Sequence, residues 1–171
     1  MKEIPLTRGA AALVDDEMHD RLVARGRWHC TPEGYASRRK DCIRMQHDIF
    51  HLLGIPAEVI DFRDRNRLNC QLWNLRPATK QQDSFNRSRY SNNTSGYIGV
   101  SAHNRGWMAY ITHNNKSQHI GMFDTPIAAA RARDAVAIEL FGEFAGLNFP
   151  LPIVPEPFDV ALQRLRPACA A

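Results

Sequence analysis

The C-terminal part of the chain has the clearest alternation of apolar and polar positions. Three short alternating runs are separated by polar turns, one of them at Asn104-Arg105-Gly106, and this spacing is typical of an antiparallel meander. A small sheet of this kind needs a covering element to be stable. The predicted strands span residues 97–101, 107–112 and 118–123.

The residues that follow the third predicted strand have the pattern of a helix that could cover the sheet. Thr125 or Asp124 can cap a helix whose first turn contains Pro126, and Gly142 supplies a stop after Phe141. The helix is dense in alanine, and small side chains let a helix approach a sheet closely. We therefore expect the helix to lie across one face of the meander. The strand residues expected to face it are Val100, Ala109, Ile111 and Ile120.

The first 76 residues mix strand-like and helical patterns. One helix is expected to start at Asp15 or Asp16 and to end at Gly26. A second, at about 45–53, places four apolar residues on one face and stops at Gly54. Strand-like runs occupy residues 3–6, 11–14 and 35–39. Together with the C-terminal meander, these patterns predict an α+β protein.

Two further segments have weaker signals. Residues 77–95 are polar and poor in large apolar side chains, which predicts a basic linker that orders on a charged partner. Residues 151–171 form a proline-rich tail, in which 158–165 has the spacing of one or two amphipathic helical turns. The predicted divisions of the chain are therefore 1–76, 77–95, 96–150 and 151–171.

Positive charge is concentrated in the middle of the chain. The net charge of all 171 residues is +4, whereas residues 63–90 alone contain seven basic residues against two acidic ones. Such a run favours contact with phosphates, with a solvated surface as the alternative. The predicted phosphate contacts are Arg63, Arg65, Arg67, Arg76, Lys80, Arg87 and Arg89.

Several classes of protein are disfavoured. No apolar run approaches the roughly 18 residues of a membrane span, and the first residues do not have the pattern of a signal peptide. The four cysteines form no CxxC pair, which disfavours a zinc cluster or a disulfide framework. No glycine-rich nucleotide loop or other sign of a small-molecule substrate is present. We expect a cytoplasmic or nucleoid-associated protein, located in the host cytoplasm if a phage encodes it.

The sheet face opposite the helix is expected to be polar and aromatic, with few acids. A major groove about 12 Å wide admits a small sheet, and hydroxyl, imidazole and amide groups can reach base edges and phosphates there. Double-stranded DNA is therefore the expected partner. The candidate DNA-binding residues are Ser101, His103, Arg105, Trp107, Tyr110, Thr112, Lys116, Gln118 and His119.

Five segments between residues 95 and 150 form a series: SGYIGV, WMAYI, IGMFDT, AAARARDAVAIELFG and LNFP. In this order they resemble the APETALA-type (ethylene-response-factor) DNA-binding domain. The resemblance implies a sheet in the major groove of duplex DNA, where strand arginines and a third-strand tryptophan make contacts. The tryptophan position is His119 here, and most arginine positions have lost their arginine, so the target of the plant members is not expected. Those arginine positions are Ile98, Ser101, His103, Thr112 and about Ser117.

A second series, IDFRDRNRLNCQLWNLR at residues 60–76, resembles the metal finger of HNH nucleases of the homing-endonuclease type. Phage and bacterial members often join this finger to the APETALA-type domain. The resemblance implies a ββα-metal finger whose divalent ion, such as Mg²⁺, stabilises the leaving 3′ oxygen of a cleaved phosphodiester. It implies Asp61 and a helix residue, Asn74, as metal ligands, with Asn66 and Asn69 shaping the finger.

The position of the family's general base is Phe62. In the family a histidine there activates the attacking water, and phenylalanine cannot, so a rate contribution of about 10²–10⁴ is expected to be lost. His47 and His51 are the alternative candidates, as a displaced base on a neighbouring helix. The structural alternative for Asp61 and Asn74 is capping and loop bonding.

Three functions are compatible with these observations. The first is a double-stranded DNA-binding protein derived from an HNH homing-type endonuclease, with an impaired nuclease centre, acting as a transcription regulator or as a remnant of a mobile element. The second is an active endonuclease that depends on a divalent metal and uses a displaced general base. The third is an interaction module that has kept only the fold. The sequence favours the first.

Overall fold

The N-terminal unit is built from short hairpins and helices. In the computed structural model, which describes residues 1–86, 93–114 and 116–166, this unit comprises residues 1–80 and the segment from Ile153 onward. Its antiparallel hairpins are β1 (Lys2–Pro5) with β2 (Ala11–Val14), β3 (Trp28–Cys30) with β4 (Ala36–Arg38), and β5 (Val59–Phe62) with β6 (Leu75–Ala78). Its first two helices are α1 (Asp16–Val23) and α2 (Met45–Leu53).

One apolar core holds this unit together. Met18 and Leu22 are spaced four residues apart on α1, so both lie on the same side of the helix and are fully buried. Ile49 and Phe50 of α2 are buried in the same core. Gly54 ends α2 in the left-handed conformation, with φ at 69°, which confirms the predicted stop.

The second unit comprises residues 81–152. Its elements are α3 (Lys80–Phe85), which begins one residue before the boundary, the strands β7 (Val100–His103), β8 (Gly106–His113) and β9 (Lys116–Phe123), and the helix α4 (Pro126–Phe141). The strands form one antiparallel sheet in the order β7-β8-β9. The predicted meander followed by a helix is thus confirmed, and the chain is of the α+β class.

Helix α4 covers one face of the sheet. Val100 and Ala109 pack with the helix residues Ala129 and Ala130 in one cluster, and Ile111 packs with Ala137 and Phe141 in a second. The hydroxyl of Thr125 accepts a hydrogen bond from the Ala128 amide at 3.2 Å, and Pro126 occupies the first turn. The predicted start of the helix and the predicted facing residues are therefore confirmed.

The proline-rich C-terminal segment contributes to the first unit. Its helix α5 (Phe158–Leu165) buries Ala161 and Leu165 in the N-terminal core, with Phe158 and Leu162 packed beside them. This matches the predicted amphipathic turns, and it makes the segment part of a folded unit. The spacing of 158, 161, 162 and 165 explains the burial, because these positions share one helical face.

Two predictions about secondary structure are wrong. The finger segment was expected to run from strand to loop to helix, but residues 75–78 form the strand β6, and Asn74 lies in the turn before it. The predicted linker at 77–95 contains the helix α3, and its Phe85 ring stacks on Phe141 with centroids 4.0 Å apart. Phe85 therefore joins this part of the polar stretch to the core of the second unit. No helix in the described part of the chain is long and apolar enough to cross a membrane.

Candidate active site and nucleic-acid interface

Asp61 and Arg76 face each other across the β5–β6 hairpin. They are register partners, with Arg76 Nε 2.8 Å and Nη2 2.5 Å from Asp61 Oδ2. The side chains are 6% and 5% exposed. A buried carboxylate with a guanidinium partner is a stable ion pair, and removing either member is costly. Arg76 is therefore a structural partner of Asp61, and its prediction as a phosphate contact is wrong.

The loop between these strands is organised by Asp64. Its carboxylate accepts hydrogen bonds from the Asn74 side chain at 2.8 Å, the Asn69 side chain at 2.7 Å and the Asn66 amide at 2.7 Å. Asn74 also accepts a bond from the Asp64 amide at 2.9 Å and donates one to the Asn69 carbonyl at 2.8 Å. Both ends of the buried Asn74 amide are thus engaged in holding the loop.

Phe62, the residue that the resemblance aligns with the family's base, is only 5% exposed. Its ring packs against Tyr35, with centroids 6.1 Å apart and planes at 52°. A phenyl ring, unlike an imidazole, has no atom that can accept a proton from water. This position therefore contributes to the core and supplies no general base.

The two candidate histidines of α2 differ in environment. His47 is half-buried, and its pKa is lowered first by burial and also by the charge of Arg44, with a hydrogen bond to the Glu58 backbone acting in the opposite direction. Low pKa keeps the imidazole neutral and able to accept a proton at neutral pH. His51 is exposed in the last turn of α2.

The two ligands that the resemblance implies, Asp61 and Asn74, both have hydrogen-bond partners within the hairpin. Within the described residues, no group of three or more histidine, cysteine, aspartate or glutamate side chains could hold a metal. Asp61 is engaged by Arg76, and the oxygen of the Asn74 side chain accepts a backbone hydrogen bond. A hard cation such as Mg²⁺ needs oxygen ligands that are free to approach it.

The outer face of the sheet, opposite α4, is defined by the register of its strands. Tyr110 lies directly opposite His119, and Thr112 lies opposite Ser117. Ser101 is opposite Met108, which is opposite Met122 on its other side. Met108 and Met122 were not predicted, although counting by twos from Ala109 and allowing for the bulge at Ala109/Tyr110 places them here. The outer face consists of Ser101, His103, Met108, Tyr110, Thr112, Ser117, His119 and Met122.

Trp107 is not on this face. It packs in the cluster of Val100 and Ala129 on the side covered by α4. Its placement on the outer face is wrong because it has the same phase along β8 as Ala109 and Ile111. Gln118 pairs with Ile111 and therefore also has the helix-side phase, although it is exposed near the start of β9.

The remaining residues predicted to contact DNA or phosphate differ in how exposed they are. Arg105 is exposed in the turn between β7 and β8, and Lys116 is exposed at the first position of β9. In the first unit, Arg63 and Arg65 are half-buried in the loop, and Lys80 forms a 3.0 Å ion pair with Glu58 on the surface. Arg67 is exposed. Arg87 and Arg89 lie outside the described residues.

A polar network that the sequence did not reveal closes the second unit. The Asn148 side chain accepts a hydrogen bond from the Ile98 amide at 2.6 Å and donates to the Ile98 carbonyl at 3.1 Å and to Asp134 at 3.0 Å. Asp134 also accepts a bond from the Asn148 amide at 2.7 Å. The buried Arg133 donates to the Gly146 carbonyl. These bonds attach the LNFP segment to the residues just before β7 and hold the sheet on its helix.

Comparison with known proteins assigns the chain to a class. No family model matches it. Over 132 residues it is 34% identical to a protein of Acanthamoeba polyphaga mimivirus that is named an uncharacterized HNH endonuclease. The match covers 74% of this chain and 69% of the viral protein. The chain belongs to the HNH endonuclease family.

Proposed function

We propose that this member of the HNH family binds duplex DNA through the outer face of the β7–β9 sheet and that its nuclease centre is impaired. The observation that supports binding is the pair Tyr110 and His119, which lie opposite each other on the face that α4 leaves uncovered. Thr112 and Ser117 add hydroxyl groups beside them. Such groups can contact base edges and phosphates in a major groove.

The resemblance of residues 95–150 to the APETALA-type domain supports the same face. In that family, sheet side chains enter the major groove, and Thr112 and His119 occupy positions that make contacts there. Three of the arginine positions on the outer face are Ser101, Thr112 and Ser117, so bidentate recognition of guanine by those positions is absent. We infer that binding depends on shape and on single hydrogen bonds more than on a guanine-rich sequence.

Two observations support an impaired nuclease. Phe62 replaces the family's base and is buried against Tyr35. The carboxylate expected to bind the metal, that of Asp61, is engaged by Arg76 in a buried ion pair. A cleavage reaction would have to break that pair as well as find another base.

One observation favours the alternative, an active divalent-metal-dependent endonuclease with a displaced base. His47 has a lowered pKa and contacts the backbone of Glu58, three residues before Asp61. A neutral histidine near the hairpin is able to act as a base. We regard this as the second candidate because its operation would still require Asp61 to leave Arg76.

DNA binding is tested by gel shift with the double variant Tyr110→Ala/His119→Ala. We expect it to bind a duplex about tenfold more weakly than wild type or worse, because two contacts are lost. The matched control is Ile127→Ala/Ile138→Ala, which changes two exposed positions of α4 and should bind normally. Circular dichroism verifies that both variants are folded. Equal affinities of the two variants would disprove the assigned face.

Cleavage is tested by nicking of supercoiled plasmid with Mg²⁺ or Mn²⁺. We expect no nicking by wild type, and Phe62→His is compared with Phe62→Leu to detect the effect of restoring an imidazole. Nicking only by Phe62→His would trace the impairment to the missing base. Nicking by wild type that is abolished in His47→Gln would replace our proposal with the alternative.

A further inference from the structure

A tyrosine with two arginines lies beside the β5–β6 hairpin, and we call these three residues the arginine–tyrosine cluster. The guanidinium carbon of Arg44 is 4.0 Å from the centre of the Tyr35 ring, and that of Arg67 is 4.6 Å from it. Arg44 precedes α2, whereas Arg67 belongs to the loop between β5 and β6. A guanidinium stacked on an aromatic face is held in orientation and retains its outward N–H groups.

Both guanidinium groups remain available to a ligand. Arg44 and Arg67 are exposed. Arg67 uses Nη1 to donate to the Glu33 carbonyl at 2.7 Å, which fixes its direction further. No hydrogen bond or ion pair within the described residues engages the Arg44 side chain. Both arginines are held in orientation by the ring, and most of their N–H groups remain free to donate. They are therefore suited to bind phosphate with little loss of conformational entropy.

The local surroundings favour an anion. No side chain of the described residues caps the N-terminal end of α2 at Arg44, so the partial positive charge of the helix terminus adds to the two guanidinium charges. The cluster also lies close to the hairpin, because the Tyr35 ring packs against Phe62. The position at which the family's base would meet a phosphodiester is thus adjacent to a site with the charge to bind one.

We propose that the arginine–tyrosine cluster contacts backbone phosphates of duplex DNA through Arg44 and Arg67 and gives the N-terminal unit a role in holding DNA. This inference rests on the proposed function insofar as the ligand is duplex DNA. It adds a second binding region, in the other unit of the chain, composed of Tyr35, Arg44 and Arg67. The contact is independent of sequence, since phosphates are the same at every base pair.

One acidic group opposes this binding and provides an internal check. The exposed Glu33 has a lowered pKa, caused first by a hydrogen bond with its own backbone and by Thr31, with smaller contributions from the charges of Arg44 and Arg67. Its carboxylate is therefore ionised and near enough to both arginines to compete with a phosphate. Glu33→Gln is expected to bind DNA severalfold more tightly than wild type, and weaker binding would contradict the proposal.

The decisive experiment compares the salt dependence of duplex binding by full-length variants, measured by fluorescence anisotropy with a short labelled duplex. Arg44→Gln/Arg67→Gln should bind about tenfold more weakly, and the slope of log K against log salt should fall by about 2. Arg44→Lys/Arg67→Lys, which keeps both charges, should retain most of the slope. The control Arg8→Gln/Arg27→Gln removes two exposed arginines outside the cluster and should leave the slope within about half a unit of wild type.

The outcomes separate this inference from the proposed function. An unchanged slope in Arg44→Gln/Arg67→Gln, or an equal loss in the Arg8/Arg27 control, overturns the cluster while leaving the sheet proposal intact. Weakening in the cluster variant combined with normal binding by Tyr110→Ala/His119→Ala supports the cluster and overturns the sheet face. Wild-type protein that binds no duplex at any salt concentration overturns both. Thermal unfolding of each variant verifies that the fold is retained.

Discussion

The β5–β6 hairpin and the β7–β9 sheet use polar side chains in opposite ways. In the hairpin, Asp61 is bound by Arg76, and Asn74 is bound from both ends of its amide by the loop. On the outer face of the sheet, Tyr110 and His119 lie opposite each other on the side that α4 does not cover. The hairpin engages its polar side chains with one another, whereas the sheet presents its polar side chains on an uncovered face.

The difference shows that the residue types of a motif do not by themselves determine whether their side chains are accessible to a ligand. A carboxylate and an amide can serve metal chemistry only if their oxygens are accessible to the ion. The sheet has no residue type that is diagnostic of catalysis, yet its polar groups lie together on an uncovered surface. The predictions below test how much the polar contacts of the hairpin and the packing of the sheet contribute to stability and to DNA binding.

The largest effect is expected from Arg76→Ala. The substitution deprives the buried Asp61 carboxylate of its arginine, and breaking a buried ion pair costs about 3–5 kcal/mol of the free energy of unfolding. Lys80→Ala, which removes one partner of a fully surface-exposed pair with Glu58, should have no measurable effect. Urea denaturation followed by circular dichroism measures both. A loss below about 1 kcal/mol in Arg76→Ala would mean that Asp61 is less dependent on its partner than the hairpin indicates.

A somewhat smaller effect is expected from Gly99→Ala in the second unit. Gly99 has φ at +68°, and an added Cβ would collide with the carbonyl oxygen of Tyr110 in the neighbouring strand. Left-handed strain and this backbone collision together should cost about 2–3 kcal/mol. Gly54→Ala is the control, because Gly54 has a similar φ of +69° in the left-handed region but no atom within 4 Å of the added Cβ, and about 1 kcal/mol is expected. Equal losses would show that strain alone, without the collision, determines the cost.

Thr125→Ala should weaken the attachment of α4 to the sheet by about 1 kcal/mol, since the hydroxyl caps the Ala128 amide. Thr125→Ser retains the hydroxyl and is expected to stay close to wild type. The melting temperature of the two variants, compared under the same buffer, distinguishes them. We also expect Thr125→Ala to weaken DNA binding, because α4 supports the sheet whose outer face is proposed to contact DNA. Unaltered binding would show that DNA binding does not depend on the stability of α4.

The smallest effect is a pH dependence from His47. Burial lowers the pKa of this imidazole below the unfolded value of 6.5, so the unfolded chain takes up a proton before the folded chain does. The contribution of His47 to the free energy of unfolding is therefore fully present above pH 6.5 and is lost as the pH falls towards the lower pKa of the folded state. His47→Gln should flatten the stability curve in this window, and His51→Gln, on the same helix but exposed, should leave it as in wild type. Chemical denaturation at a series of pH values between about 5 and 8 measures the slopes.

Much of the fold was predictable because local signals and tertiary structure agree. The helix at Met45–Leu53 has an apolar face and a glycine stop, and the helix at Pro126–Phe141 has a capping residue, a proline and an alanine-rich body. Gly54 and Gly142 follow the last residues of these two helices, as predicted. In these segments the sequence specifies the element without reference to distant residues.

The candidate site was less predictable because its geometry depends on strand pairing. Nothing local indicates that Arg76 lies opposite Asp61, since the pairing joins residues fifteen positions apart through a loop. Asn74 was expected in a helix, but Pro77 and the hydrogen bonds of Asp64 favour a turn and a strand. Tyr35 was predicted only as the start of a strand, and its two arginines come from later parts of the chain, just before α2 and in the loop between β5 and β6. By contrast, Trp107 was misplaced for a local reason, because a strict count by twos would have assigned it to the side of Ala109.

The bonds of Asn148 have a consequence for how the second unit can be divided. One side chain satisfies both backbone groups of Ile98, although the two residues are fifty positions apart, and it is itself fixed by Asp134. A fragment that ends before position 148 would leave the entry to the first strand without these partners. The smallest independently stable piece of this sheet therefore has to extend past the end of its helix.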